Sequence, residues 1–114
     1  MSEEKTVQNT DQKKKTFQDL VQDSEVPVLV DVYSDTCGPC ISLKPVLKEL
    51  KTKMGEDLRI IKINGPRNVS FMHTYQIRAF PTLMVFHKGE IVWTREGWIN
   101  ARMLEKMIKS HTKD

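Results

Sequence analysis

The run Val28-Leu29-Val30-Asp31-Val32-Tyr33 narrows the choice of fold more than any other stretch of this chain. Val and Leu crowd it without the alternation of a half-exposed strand, so it reads as a central strand covered on both faces. Such a strand needs helices above and below it, and the flanking sequence supplies them. Phe17, Leu20 and Val21 fall at helical spacing within Lys13 to Ser24. Between about Cys37 and Met54, residues Ile41, Leu43, Val46, Leu47 and Leu50 are mainly helix-spaced, and Pro45 removes one backbone donor from that helix and should kink it. Leu58 to Ile63 reads as a second strand and Val69 to Tyr75 as a turn of helix. Thr82 to Phe86 and Glu90 to Thr94 read as two strands joined through His87-Lys88-Gly89, a hairpin signal. Met103, Leu104, Met107 and Ile108 form one stripe of a closing helix, with Asn100 as its N-cap. The order is a βαβ unit followed by a ββα unit, which predicts an α/β fold: a central mixed β-sheet flanked by helices on both faces.

Size and charge set the outer bounds. A chain of 114 residues suits one domain, and such a domain buries roughly two thirds of its extended-chain surface without a disulfide framework or structural metal. The expected division is a flexible tail or short edge strand over residues 1–12, where Val7 is the main apolar residue, a domain over 13–110 and a polar tail over 111–114. The longest apolar stretches, Val26 to Val30 and Phe80 to Phe86, fall far short of the roughly 18 residues of a membrane span. The first residues lack an apolar core and a small-residue cleavage pattern, so the expectation is a reducing, cytoplasmic setting with no membrane association. Net charge is +3 with the signs mixed, and the dense basic cluster is limited to Lys13-Lys14-Lys15. A nucleic-acid footprint calls for a broader basic face.

Both cysteines lie in Thr36-Cys37-Gly38-Pro39-Cys40, directly after the first strand and a three-residue turn. Pro39 suits the first turn of a helix, which places Cys37 at the helix N-terminus and Cys40 one turn inward. Unpaired N–H groups and the helix dipole favour an anion there and lower a thiol pKa from about 8.5 toward neutrality. Cys37 is therefore the expected nucleophile and Cys40 the resolving thiol. The spacing alone also fits half of a zinc site or two inert thiols. A structural zinc needs four ligands, and the remaining candidates are His73, His87 and His111, two of them in expected surface turns or the polar tail. Asp31 fits a purely structural reading worst, because an unpaired charge inside a central strand is costly and a carboxyl there tends to hold its proton. Read without context, Lys62 is an ordinary strand-edge lysine and Pro81 a strand-start proline. Trp93 and Trp98 read as core packing or cover at the edge of the fold.

The stretch VLVDVYSDTCGPCISLKPVLKEL, Val28 to Leu50, resembles the active-site strand and helix of the thioredoxin family, and the likeness runs from about Phe17 to Ile108. Ile77-Arg78-Ala79-Phe80-Pro81-Thr82-Leu83 resembles that family's segment before and through its cis-proline. The resemblance implies the thioredoxin fold, with Pro81 cis beside the cysteines and the Phe80 backbone pairing with an extended substrate. It implies that Asp31 moves a proton to or from Cys40, that Lys62 modulates Asp31, and that Thr36, Gly38, Pro39, Phe80, Pro81 and Gly97 form the docking surface. The implied activity is protein-disulfide reduction through a redox-active Cys37–Cys40 couple, supporting cell redox homeostasis with no bound cofactor. The implied partners are disulfide-containing proteins and a flavin-dependent thioredoxin reductase, and the implied state is a monomer. The Gly-Pro insert belongs with reducing members, whose couples lie near about −270 mV against about −120 mV for oxidising ones, a gap of roughly 7 kcal/mol for two electrons. This chain departs from the family at Thr36 and Tyr33, where tryptophans are common, and at Pro66, where an acidic residue is common. Those departures leave a docking or assembly module of the same fold as the alternative.

Overall fold

A computed structural model describes residues 15–113, so the expected tail or edge strand over residues 1–12 lies outside the described residues. Helix α1 spans Phe17–Gln22 and begins where a reciprocal cap closes it: the Asp19 N–H donates to the Thr16 hydroxyl at 3.1 Å, and the Thr16 N–H donates to the Asp19 carboxylate at 3.2 Å. That box makes the helix shorter than the expected Lys13 to Ser24. Strand β1, Val28–Tyr33, leads to helix α2, Gly38–Met54, which runs unbroken through Pro45. The Lys51 ammonium donates to the carbonyls of Gly55 and Leu58, tying the end of α2 to the start of β2, Arg59–Asn64. Helix α3, Val69–Thr74, precedes the hairpin of β3, Thr82–His87, and β4, Glu90–Glu96. Lys88 and Gly89 turn that hairpin with positive φ at both residues, a backbone twist that matches paired antiparallel strands. Helix α4, Ala101–His111, starts at Asn100, whose side chain accepts the Met103 N–H at 2.8 Å.

The sheet order is β2-β1-β3-β4, with β1 parallel to β2 and antiparallel to β3, and β3 antiparallel to β4. Strand β1 is thus central, and its two faces serve two cores. Leu29 joins Leu83 and Val85 under α2 and α4, where Leu43, Leu47, Leu50, Leu104 and Ile108 pack. Val28, Val30 and Val32 join Met84 and Phe86 under α1 and α3. On that second face Phe17 meets the edges of Phe71 and Phe86, with ring centroids 4.9 and 5.4 Å apart. Both faces are therefore apolar, which is why the sequence of β1 lacks alternation.

Two residues expected on apolar faces turn outward. Ile41 is 56% exposed and Met103 is 41% exposed. Leu43, Val46 and Leu47 supply the buried contact from α2, and Ala101, Leu104 and Ile108 supply it from α4. Trp93 packs against the α2/α4 core. Trp98 lies at the edge of the fold, where its indole N–H donates to the Ser42 carbonyl of α2 at 3.3 Å.

Because Leu104 is fully buried between α4 and the sheet, Leu104→Ala should lower unfolding free energy by about 2–5 kcal/mol. Urea denaturation checks this, and a loss below about 1 kcal/mol would contradict the packed α4 interface.

Candidate active site

Strand β1 ends at Tyr33, and the chain crosses a short turn before entering α2. Asp35 in that turn accepts two long contacts of 3.4 Å from the Asn64 amide and lies 4.0 Å from the Arg67 guanidinium, so the end of β2 braces it. Cys37 is the N-cap of α2, and its sulfur accepts the Cys40 N–H at 3.0 Å. That hydrogen bond satisfies one of the donors a helix start leaves unpaired, and it aims the positive end of the helix at sulfur. Pro39 lies within the first turn, where no intrahelical donor is needed from it.

Cys37 and Cys40 are joined in a disulfide. The two cysteines are not equally exposed: Cys37 is half-buried, while Cys40 is only 5% exposed. Thr36, Gly38 and Pro39 surround Cys37 as exposed residues.

Behind Cys40 lies a cavity of about 310 Å³ lined by Asp31, Tyr33, Asp35, Cys40, Lys44 and Lys62 among others. Asp31 shares the parity of Leu29 on β1 and so faces α2 rather than α1 and α3. It is 4% exposed, and its Oδ1 has no hydrogen-bond partner. Burial pushes its carboxyl up from the ordinary 3.8 to about 6, and the neighbouring Lys62 charge pulls in the opposite direction. Lys62 stands opposite Asp31 in the parallel β1/β2 register and is itself exposed. The structure thus gathers Asp31, Cys40 and Lys62 around one space roomy enough to admit water.

The other predicted residues meet at the same end of the sheet. The Phe80–Pro81 peptide is cis. Val32 pairs with Thr82, so Pro81, immediately before β3, lies beside the end of β1, from which the cysteine turn departs. The Gly97 N–H donates to the Pro81 carbonyl at 2.8 Å. Gly97 adopts φ of 96° with open space on its Cβ side, so backbone conformation is what calls for glycine there. Among the described residues, the N–H and carbonyl of Phe80 have no hydrogen-bond partner.

Sequence reasoning missed three contributors. Lys44 lines the Asp31 cavity and lies four residues after Cys40, a spacing that puts both on one helix face and was available as a signal. Trp98 reaches α2 from the β4–α4 connection, and no local pattern announces that contact. Gly65 lies against the Phe80 ring, which depends on packing across the fold. Among the described residues no group of three or more His, Cys, Asp or Glu is gathered as a metal site.

A family profile described as Thioredoxin matches residues 7–110. Thioredoxin Y, chloroplastic, of Oryza sativa subsp. japonica is 38% identical over 95 residues, covering 83% of this chain and 56% of that protein. Thioredoxin 1 of Synechococcus elongatus is 35% identical over 96 residues, covering 84% of this chain and 90% of that protein. The chain therefore spans little more than half the length of the first relative and most of the second. A mutant thioredoxin from Halobacterium salinarum NRC-1 superposes with a TM-score of 0.78 at 33% identity, covering 90% of this chain and 88% of that one.

The raised Asp31 pKa makes a stability prediction. The folded protein holds this proton more tightly than the unfolded chain does, so stability falls as pH rises from about 4 to about 6. Above that window the ionised carboxylate costs up to about 3 kcal/mol. Asp31→Asn should be more stable than the parent at pH 7 by up to that amount, with the gain vanishing below about pH 4. Denaturant titrations across pH check this, and a gain that persisted unchanged in acid would exclude the carboxylate charge as its cause.

Proposed function

Since the chain belongs to the thioredoxin family, we propose that it is a protein-disulfide reductase that works by dithiol–disulfide exchange through Cys37 and Cys40. One observation carries the reading: a disulfide at the start of α2 whose first cysteine is half-buried and whose second is buried and lines the Asp31 cavity. This asymmetry suits an attacking thiol outside and a resolving thiol inside.

In the reduced protein the Cys37 thiolate attacks one sulfur of a partner disulfide. The Cys37–partner bond forms, the partner bond breaks, and the partner's second sulfur leaves as thiolate. Asp31 accepts the proton of Cys40 directly or through water in the cavity. The Cys40 thiolate then attacks Cys37 sulfur, closing the Cys37–Cys40 disulfide and releasing the partner's remaining thiolate. The partner gains two electrons and, once protonated, two thiols. Lys62 tunes the proton affinity of Asp31 through its charge. A flavin-dependent thioredoxin reductase using nicotinamide reducing equivalents would restore the dithiol. The Gly-Pro insert supports the reducing direction, and a reducing cytoplasmic compartment is the setting in which such a couple works.

The unpaired Phe80 N–H and carbonyl support docking of an extended partner segment beside Pro81, in the manner of strand addition. The open side of Gly97 leaves room for its backbone. Thr36, exposed where the family often carries an indole, leaves that docking face with less apolar area.

With dithiothreitol as electron source, wild type should accelerate the reduction of insulin and Cys37→Ser should not. A wild-type rate equal to the uncatalysed control would leave the docking or assembly module as the reading. The proton role has its own check: Asp31→Asn should slow resolution of a trapped mixed disulfide at pH 7 and have little effect above about pH 9, where a thiol ionises unaided. Stopped-flow release of the partner thiol measures it, and a defect of equal size at both pH values would remove Asp31 from the proton step.

A further inference from the structure

Gly65 follows strand β2 directly and is buried, although it stands at the rim of the docking end of the sheet. Its φ is not positive, so backbone conformation does not call for glycine. Space does. A Cβ at residue 65 would stand 2.5 and 2.8 Å from two ring carbons of Phe80 and 2.9 Å from the Met72 sulfur. Real Cβ atoms do not approach that closely, so the Phe80 ring occupies the volume that any side chain at residue 65 would claim.

The main chain at Gly65 has little freedom to yield. Its N–H donates to the Tyr33 carbonyl at 2.7 Å, and its carbonyl accepts the Asn68 N–H at 2.8 Å. The first bond fixes it to the end of β1, four residues before Cys37, and the second to the start of α3. The Met72 thioether is flexible and can swing aside. The Phe80 ring is stiffer and would have to turn away from the main chain. Phe80 also lines an open groove with Pro66, Val69, Met72 and Ile77, rimmed by His73 and Arg78. A displaced ring therefore enters that groove, next to the backbone of Phe80.

We propose that Gly65 is a positioning residue for substrate docking: it seats the Phe80 ring against the main chain, and the seated ring forms the apolar wall along which a disulfide-bearing segment lies. The inference rests on the reductase reading, since it assigns a role within that docking step. It predicts that partners carrying an apolar side chain beside the target cysteine gain from the wall, while small disulfides that need no docking are indifferent to it.

The test measures insulin reduction, and in parallel reduction of the small disulfide dithiobis-nitrobenzoate, for wild type, Gly65→Ala, Phe80→Leu and the double variant. Gly65→Ala should raise KM for insulin roughly fivefold or more, leaving kcat and the small-disulfide rate within about twofold. In the double variant the shorter side chain leaves room, and KM should match that of Phe80→Leu alone. An unchanged KM in Gly65→Ala, an equal rise on the Phe80→Leu background, or a parallel loss with the small disulfide would each overturn the proposal. If Gly65→Ala alone fails to fold by circular dichroism, the double variant decides: folded with the KM of Phe80→Leu it supports the seat, and unfolded it refutes it. Absence of insulin turnover by wild type would sink the reductase reading together with this one, whereas wild-type turnover with an indifferent Gly65→Ala sinks this one alone.

Discussion

Two hydrogen-bond ladders on strand β1 fix everything else in this molecule. Parallel pairing with β2 and antiparallel pairing with β3 hold β1 from both sides, and apolar layers hold it from both faces. A strand so constrained can move only as part of the whole domain. Its end at Tyr33 is therefore a fixed origin for the cysteine turn, for Gly65 through its N–H, and for Pro81 just before β3. The candidate site residues arrive from separate segments of chain, and their common point is the end of this one strand.

Asp31 shows what that rigidity permits. A carboxyl in the middle of a central strand opposes folding at neutral pH, and an apolar residue of similar size would serve the core better. The surrounding clusters are extensive enough to tolerate it. Among the described residues its Oδ1 finds no partner, and burial raises its proton affinity above that of an ordinary carboxyl. Lys62 moderates the affinity from the edge strand without closing an ion pair: it stands in register with Asp31, yet remains exposed. Asp31 and Cys40 line one cavity, with Lys44 and Lys62 along the same wall.

Much of the architecture was legible in the sequence because apolar burial leaves a periodic trace. Val28 to Tyr33 announced a doubly covered strand, and Leu43, Val46, Leu47 and Leu50 announced a long helix facing it. Cys37 and Asn100 were recognisable as helix starts because capping chemistry is local. The start of α1 was set by the reciprocal cap of Thr16 and Asp19. Ile41 and Met103 defied expectation because the width of a buried stripe depends on the neighbouring helix, which no single segment encodes. The cis state of Pro81 followed from family resemblance and not from spacing, since a proline before a strand is equally at home in trans. The contact between Gly65 and Phe80 was invisible for a related reason: a missing side chain leaves no periodic signal, and its partner lies fifteen residues away.

The sulfur of Cys37 is both a redox atom and the cap of its helix. Opening the disulfide takes no acceptor away from the Cys40 N–H, because a thiolate at the same atom accepts that hydrogen bond at least as well. The helix terminus is thus closed in either covalent state. The hydrogen bond that closes the start of α2 therefore does not depend on whether that sulfur is in a disulfide or a thiolate.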